Sequence, residues 1–463
     1  MAIKENLEAI AVKTGLNYLN KNPEKNLSKL LDWFDKFDRK GTLAVQRAAI
    51  RTVVEDEENN WYKLIMSLCK DIDPEVRDRL CENLIINGCL LGYQRQEANK
   101  QKYNCNIPWA ILLDPTSACN LHCTGCWAAE YGNHLNLSYE EMDDIVTQGK
   151  ELGTYVYLFT GGEPLVRKED IIRLCEKHTD CVFSAFTNGT LIDEAFAGKM
   201  LQVKNFLPAI SIEGFEEATD SRRGRGTYQK IIRAMKILKD RNLPFGISCC
   251  YTSANAEVIG SEAYFDQMIE MGAKFAWFFT YMPVGKGAMT ELMATAEQRE
   301  MMYHKIRAYR KTKPIFTVDF WNDGEYVGGC IAGGRSYCHI NANGDVEPCA
   351  FMHYSDSNIR EKTLLEAYRS PLFMGYHDNQ PWNDNMLRPC PVLDNPGSLT
   401  RIVEASNAKS TDYRNMESAK EFSDKCADTA EKWAPVAERL WKETKERKAA
   451  ECVGCGKCKT DTV

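Results

Sequence analysis

Three cysteines, Cys119, Cys123 and Cys126, stand in the run Cys-Asn-Leu-His-Cys-Thr-Gly-Cys directly after a short apolar stretch. Thiolate is the ligand that 4Fe–4S clusters take from a protein. Three thiolates on one loop hold three irons of such a cluster and leave the fourth open to a small molecule. Zinc is the competing reading, but a closed zinc site needs four ligands, and His122 would have to serve within the same tight loop. A second constellation is Cys330, Cys338, Cys349 and Cys390, enough thiols to close a complete cluster or, on ligand count alone, a structural zinc site. The run Asn341-Ala-Asn-Gly-Asp345 supplies a turn suited to bring Cys338 and Cys349 together. A third group, Cys452, Cys455 and Cys458, needs one more ligand for a closed site; Cys426 is the candidate, and free thiols are the alternative.

The chain has 19 cysteines in 463 residues. Its N-terminus lacks the basic-then-apolar layout of a signal peptide, so a cytoplasmic location is expected, with metal or redox chemistry favoured over disulfides. The cysteines outside the three groups sit mostly in apolar surroundings and are expected to be buried small hydrophobes. A net charge of −7 disfavours nucleic acid held by bulk charge. The apolar stretch Leu84–Tyr93 is interrupted by Asn87, Gly88 and Gly92 and is far shorter than the roughly 20 residues needed to span a bilayer.

The elements that must position these residues follow from periodicity. Residues 1–105 are expected to form a helical N-terminal domain: Leu27, Leu30 and Leu31 recur at helical spacing, and Asp73-Pro74 is a helix start. Over 106–322, six apolar runs (Trp109–Leu113, Tyr155–Phe159, Cys181–Phe186, Ala209–Ile212, Phe245–Tyr251, Phe275–Thr280) alternate with amphipathic helices, which predicts an α/β core with parallel strands buried on both faces. In an open sheet or a partial barrel alike, chemistry then belongs at the C-terminal strand ends. Residues 323–398 are rich in Gly, Pro, Asn and Cys and are expected to need a metal. Residues 399–463 return to helix, in two pieces (Ala419–Trp433 and Ala437–Arg447), before a cysteine-rich tail.

The Cys119–Cys126 loop lies at the end of the first strand, and Gly161-Gly162-Glu163-Pro164 lies at the end of the second. Adjacent glycines let backbone approach a ligand, and Glu163 can accept from an ammonium group. Together these motifs resemble the signature of the radical S-adenosylmethionine superfamily, over about 210 residues from Trp109 to Phe320. The resemblance implies a partial (β/α)6 barrel, a catalytic 4Fe–4S cluster on Cys119, Cys123 and Cys126, and S-adenosylmethionine chelated at the open iron. It further implies cofactor contacts from Gly161, Gly162, Glu163 and Pro164, from Asn188 in Thr-Asn-Gly, from Ser211 and Glu213 in Ser-Ile-Glu-Gly, and from Arg223 in Asp-Ser-Arg-Arg-Gly. The superfamily usually places an aromatic just before the third cysteine; here that residue is Gly125, so Trp127 is the expected cover for the adenine. The spacing from Cys330 through Gly344 to Cys349 resembles the SPASM/Twitch extension, which implies one or two auxiliary iron–sulfur clusters.

The implied enzyme reduces S-adenosylmethionine with an electron from an external donor such as flavodoxin or ferredoxin, and the resulting 5′-deoxyadenosyl radical abstracts hydrogen from an unactivated carbon. Side-chain acid–base chemistry has no access to such bonds. A non-catalytic iron–sulfur electron carrier is the alternative outside enzymes, but it needs neither an open iron nor the Gly-Gly-Glu-Pro loop. Two substrate classes stand: a peptide or protein, as SPASM enzymes often modify, or an alkyl (lipid) chain. The chain loosely resembles bacterial radical enzymes proposed to join lipid tails; its aromatic runs read first as core packing, and only for a lipid substrate do they predict a deep apolar cavity lined by Trp277, Phe279 and Trp321. A lipid substrate also predicts peripheral membrane contact, with exposed apolar helix residues at Leu84, Leu90 and Leu91.

Overall fold

The computed structural model describes residues 10, 13–15, 17–37 and 44–455. Seven parallel strands follow one another in space as in sequence: β1 (Ala110–Leu113), β2 (Val156–Phe159), β3 (Val182–Thr187), β4 (Phe206–Ser211), β5 (Gly246–Tyr251), β6 (Phe275–Thr280) and β7 (Phe316–Asp319). The six expected strands are present, and β7 adds a short seventh beside β6. Intervening helices such as Tyr139–Leu152, Thr227–Asp240 and Glu262–Met271 bury their apolar stripes on the outer face of the sheet, forming one large core.

The C-terminal region returns a strand to this sheet. β8 (Tyr337–Ile340) pairs in parallel with β1, Ala110 opposite Tyr337 and Leu112 opposite His339. A hairpin through Asn341–Asp345, with Gly344 at φ 84°, leads to β9 (Val346–Glu347). A buried charge cluster fastens the junction. His339 lies 2.9 Å from Asp114 and 2.6 Å from Glu347, while Tyr131 and Thr411 donate to Glu347. Burial alone would lower the His339 pKa, but the two carboxylates outweigh it and raise it to about 10.

The N-terminal helices pack at the opposite end, against the loops that enter the strands. Asp73 caps Pro74–Cys81 and its N–H donates to the Asn242 carbonyl before β5. Asn60 donates to the carbonyls of Arg310 and Lys313, Asn83 to those of Thr179 and Cys181, and Gln96 to that of Gly153. Asn87, Gly88 and Gly92 do not break the chain here. Glu82–Gly92 forms a π-helix, and Gly92 lets it meet the barrel: a Cβ there would stand 2.4 Å from the Asn87 carbonyl oxygen and 2.5 Å from that of Gly153.

At the other terminus the two expected helices are one, Ala419–Cys455, with Pro435 inside. Proline costs an interior helix about 3 kcal/mol. Burial of Trp433, Ala437 and Leu440 on both sides of it offsets that cost, since all three pack into a core with Tyr303 and Leu387. No helix among the described residues is long and apolar enough to cross a membrane.

Candidate functional site

At the C-terminal strand ends the sheet curls around a cavity of about 390 Å³. Cys119, Cys123 and Cys126 line one wall, and Cys330, Cys349 and Cys390 line another. The glycine pair builds the first wall. Gly161 has φ 102°, and a Cβ there would lie 2.7 Å from the Thr116 carbonyl oxygen; at Gly162 it would lie 2.3 Å from that of Ala118. The β2 loop can therefore lie flat on the backbone that leads into Cys119, held by Gly162 N–H to Thr116 O and Glu163 N–H to Ala118 O.

Glu163 lines the cavity and is held in place by its neighbours. Its carboxylate accepts from the Leu165 N–H (2.9 Å), the Thr187 hydroxyl (2.7 Å) and the Asn188 N–H (2.7 Å). It joins the β2 and β3 loops and caps the short helix Pro164–Arg167, whose first residue, Pro164, does not line the cavity. Burial raises the Glu163 pKa, against which those donors favour the charged form. Asn188 ties the cysteine loop to β3, its amide donating to the Asn120 side-chain oxygen at 2.8 Å.

Two arginines face the carboxylate of Glu213 beside the cysteine loop, at the C-terminal strand ends. Arg223 donates to Glu213, and Arg222 Nη1 lies 3.0 Å from the same oxygen. Burial pushes Glu213 up, but the guanidiniums of Arg222 and Arg223 overcome it and hold its carboxyl below the ordinary range. Arg222 Nη1 makes no hydrogen bond at its angle, leaving a buried donor in the cavity wall. An amino-acid carboxylate is the kind of group that satisfies it. Arg222 also donates to the Thr124 carbonyl in the cysteine loop, and Ser211 lines the cavity beside this group. Arg222 carries no weight in the motif pattern; its adjacency to Arg223 was the available signal.

Trp127 lines the cavity but is packed toward the second wall, edge-on to Tyr131, His339, Phe351 and His353 at 5.7 to 6.3 Å between ring centroids. The ring beside Gly125 is Tyr281, just beyond β6. A Cβ at Gly125 would lie 2.7 Å from the Tyr281 ring, so glycine at φ 67° makes room for an aromatic delivered from elsewhere in the fold. Nothing in the spacing of the cysteines announces Tyr281.

The second wall corrects one expected ligand. Strand alternation points Tyr337 and His339 inward and Cys338 outward. Cys338 is fully buried in the outer core, its Sγ 3.7 Å from the Tyr368 hydroxyl, and it does not line the cavity. The hairpin does form, but it turns Cys349 rather than Cys338 to the interior, where the Tyr337 hydroxyl lies 2.8 Å from Cys349 Sγ. Cys426 is buried in the same apolar cluster as Cys349 and Cys390 and does not line the cavity. Cys452 and Cys455 fall on the last turn of the helix Ala419–Cys455, and Cys458 lies outside the described residues.

The thiol sets suit iron–sulfur ligation in chemistry. Burial pushes Cys119 up to about 11 and Cys349 to about 12, and it also raises Cys123, Cys330 and Cys390, so ligation must displace their protons. Among the described residues, no three His, Cys, Asp or Glu side chains converge on one point as a single metal ion would require; the thiols face a shared space. The rest of the lining is largely apolar. Trp277, Phe279 and Trp321 are in it as expected, together with Trp109, Phe320 and Phe351. Phe279 stacks on Phe320 at 4.5 Å.

The radical SAM superfamily model matches residues 113–254, and an iron–sulfur cluster-binding domain model (SPASM) matches 330–391. A cysteine-type anaerobic sulfatase-maturating enzyme of Clostridium perfringens is 33% identical over 312 residues, 57% of this chain and 80% of that protein. An AdoMet-dependent heme synthase of Methanosarcina barkeri is 24% identical over 294 residues, 57% of this chain and 83% of that protein. Among solved structures, Streptococcus suis SuiB bound to S-adenosylmethionine shares the fold at a TM-score of 0.55 and 20% identity, covering 88% of this chain and 92% of that one.

Proposed function

The chain belongs to the radical SAM superfamily and carries a SPASM extension, and from that premise we propose that it abstracts hydrogen from an alkyl chain, to couple or oxidise it. As a radical SAM enzyme it uses a 4Fe–4S cluster and S-adenosylmethionine, and its SPASM region marks auxiliary iron–sulfur chemistry. When bound, these cofactors supply the 5′-deoxyadenosyl radical. In this reading Cys119, Cys123 and Cys126 hold the catalytic cluster, and Cys330, Cys349 and Cys390 hold an auxiliary one. Arg222 receives the cofactor carboxylate, Glu213 keeps both arginines charged and aimed, and Tyr281 covers the adenine. An external one-electron donor completes the system.

The observation that carries the substrate class is the wall of Trp109, Trp277, Phe279, Phe320 and Trp321 running down the barrel interior from the cysteine loop. Apolar walls of this kind hold an alkyl chain by exclusion of water and protect the radical from solvent hydrogen. A second reading, peptide or protein maturation, is favoured by the similarity to the sulfatase-maturating enzyme and by SuiB, a fold neighbour solved with its precursor peptide SuiA. The test supplies reduced enzyme and S-adenosylmethionine with vesicles of perdeuterated-acyl phospholipid, or with a deuterated cysteine-containing peptide. Deuterium in 5′-deoxyadenosine from the vesicles, above a vesicle-free control, supports the alkyl reading; transfer from the peptide alone rejects it.

A further inference from the structure

The second thiol wall holds a polar atom that the chain itself leaves without a partner. Tyr376 lines the cavity and is fully buried, and its hydroxyl makes no hydrogen bond among the described residues. A buried hydroxyl in that state has given up water and gained nothing in return. Native structures rarely carry such a group unless something outside the polypeptide meets it. The groups near enough to act on its charge are Cys330, Cys349 and Cys390, the three thiols of the same wall.

Several contacts fix the side chain in that place. Tyr376 stands on the helix Pro371–Asn379, which Ser370 caps by accepting from the Phe373 N–H and Asp356 anchors by accepting from the Leu372 N–H at 2.8 Å. Just past the helix, Gln380 donates to the carbonyls of Cys330 (3.2 Å) and Ala332 (3.0 Å), tying the helix to the first thiol of the wall. Gly333, at φ 64°, crosses over the tyrosine: a Cβ there would lie 2.4 Å from the Tyr376 Cβ. The Gly333 N–H donates to the carbonyl of Pro348, the residue before Cys349. Trp382 packs edge-on to the Tyr376 ring, 5.1 Å between centroids. Two other phenols lie beside cysteines and differ in having a partner within the chain. The Tyr337 hydroxyl is 2.8 Å from Cys349 Sγ, and that of Tyr368 is 3.7 Å from Cys338 Sγ in the outer core.

Resting on the assignment of Cys330, Cys349 and Cys390 to an auxiliary cluster, we propose that the Tyr376 hydroxyl donates a hydrogen bond to a sulfur of that cluster. It acts as a neutral phenol, a donor and not a fourth ligand, since phenols ionise only near pH 10 or about there. Sulfurs of an iron–sulfur cluster accept such bonds, which are among the levers that set its potential. The bond is stronger to the reduced cluster, which carries one more negative charge. Tyr376 therefore makes this cluster easier to reduce than its thiolates alone would.

The test is a redox titration of the full-length, anaerobically reconstituted chain, followed by electron paramagnetic resonance in the C119A/C123A/C126A background, where the second-wall cluster alone reports. Tyr376→Phe keeps the ring and its packing and removes the hydroxyl. It is expected to retain the iron of that cluster and to shift its midpoint negative, the cluster becoming about tenfold harder to reduce, or about 59 mV for one electron. Tyr368→Phe, beside Cys338, is expected to leave the midpoint unchanged. In the cluster-free chain, Tyr376→Phe is expected to melt no lower than wild type, because no partner is lost. An unchanged midpoint in Tyr376→Phe, or an equal shift in Tyr368→Phe, would overturn the hydrogen bond. So would a lower melting temperature of the cluster-free Tyr376→Phe chain, which would reveal a partner within the protein, or a loss of about one iron in four, which would mean ligation. Full second-wall iron in C330A/C349A instead rejects the thiol assignment, and the donor falls with it.

Discussion

The first thiol wall of the cavity draws Cys119, Cys123 and Cys126 from one loop, while the second draws Cys330, Cys349 and Cys390 from a segment that runs from residue 330 to 390. The first is set by local chain geometry: a loop leaving β1, flattened by a glycine pair from β2, presents all three thiols. The second exists only when β8 has paired with β1, the hairpin has turned Cys349 inward, and the coil before the helix Ser398–Ser406 has delivered Cys390. Residues close in sequence reveal a site by spacing alone. Residues assembled by tertiary pairing reveal it only if the facing of each strand is known.

The largest expected difference tests the membership of the second wall. Cys330→Ala should remove one cluster's iron, about four per chain, whereas Cys338→Ala should keep full iron and lose only about 1 kcal/mol of stability for a truncated core side chain. Iron and sulfide analysis after anaerobic reconstitution decides it. Full iron in Cys330→Ala with a loss in Cys338→Ala would reverse the assignment.

A smaller effect probes how the first wall is charged. Glu213→Gln leaves Arg222 and Arg223 without their buried counter-charge, and breaking such a pair costs about 3 kcal/mol. Thermal unfolding of the cluster-free chain should show that loss, and the affinity for S-adenosylmethionine should fall with it. An unchanged melting temperature would mean that the arginines do not depend on Glu213.

The smallest concerns a buried carboxyl that lines neither wall. The Asp319 carboxyl at the end of β7 is pushed up to about 7, chiefly by burial and then by Asp323. The folded chain therefore holds this proton more tightly than the unfolded chain, whose Asp titrates near 3.9. Its contribution to stability is complete below about pH 4 and is lost as pH rises through about 7. The melting temperature of wild type should fall by a few degrees more than that of Asp319→Asn between about pH 5 and about pH 8; parallel profiles would contradict this.

Much of the molecule is legible from pattern. The alternation of apolar runs and amphipathic helices carries six strands with boundaries within a few residues, and Asp73-Pro74 marks a real helix start. The failures share a cause. Cys338 looks like a ligand by spacing, but it sits between Tyr337 and His339 on a strand, and period-two alternation turns it to the outer core. Pro435 looks like a helix break, but buried Trp433 and Leu440 hold the helix through it. Tyr281 has no motif at all, because only the closed barrel places its ring against Gly125. In each case tertiary packing overrides a local rule.

The claim on which the rest depends is that the first wall alone carries the radical chemistry. Reduced wild type should convert S-adenosylmethionine to 5′-deoxyadenosine and methionine. The C119A/C123A/C126A variant should form none above background while retaining the iron of the second wall. 5′-Deoxyadenosine at the wild-type rate in that variant would contradict the assignment of Cys119, Cys123 and Cys126.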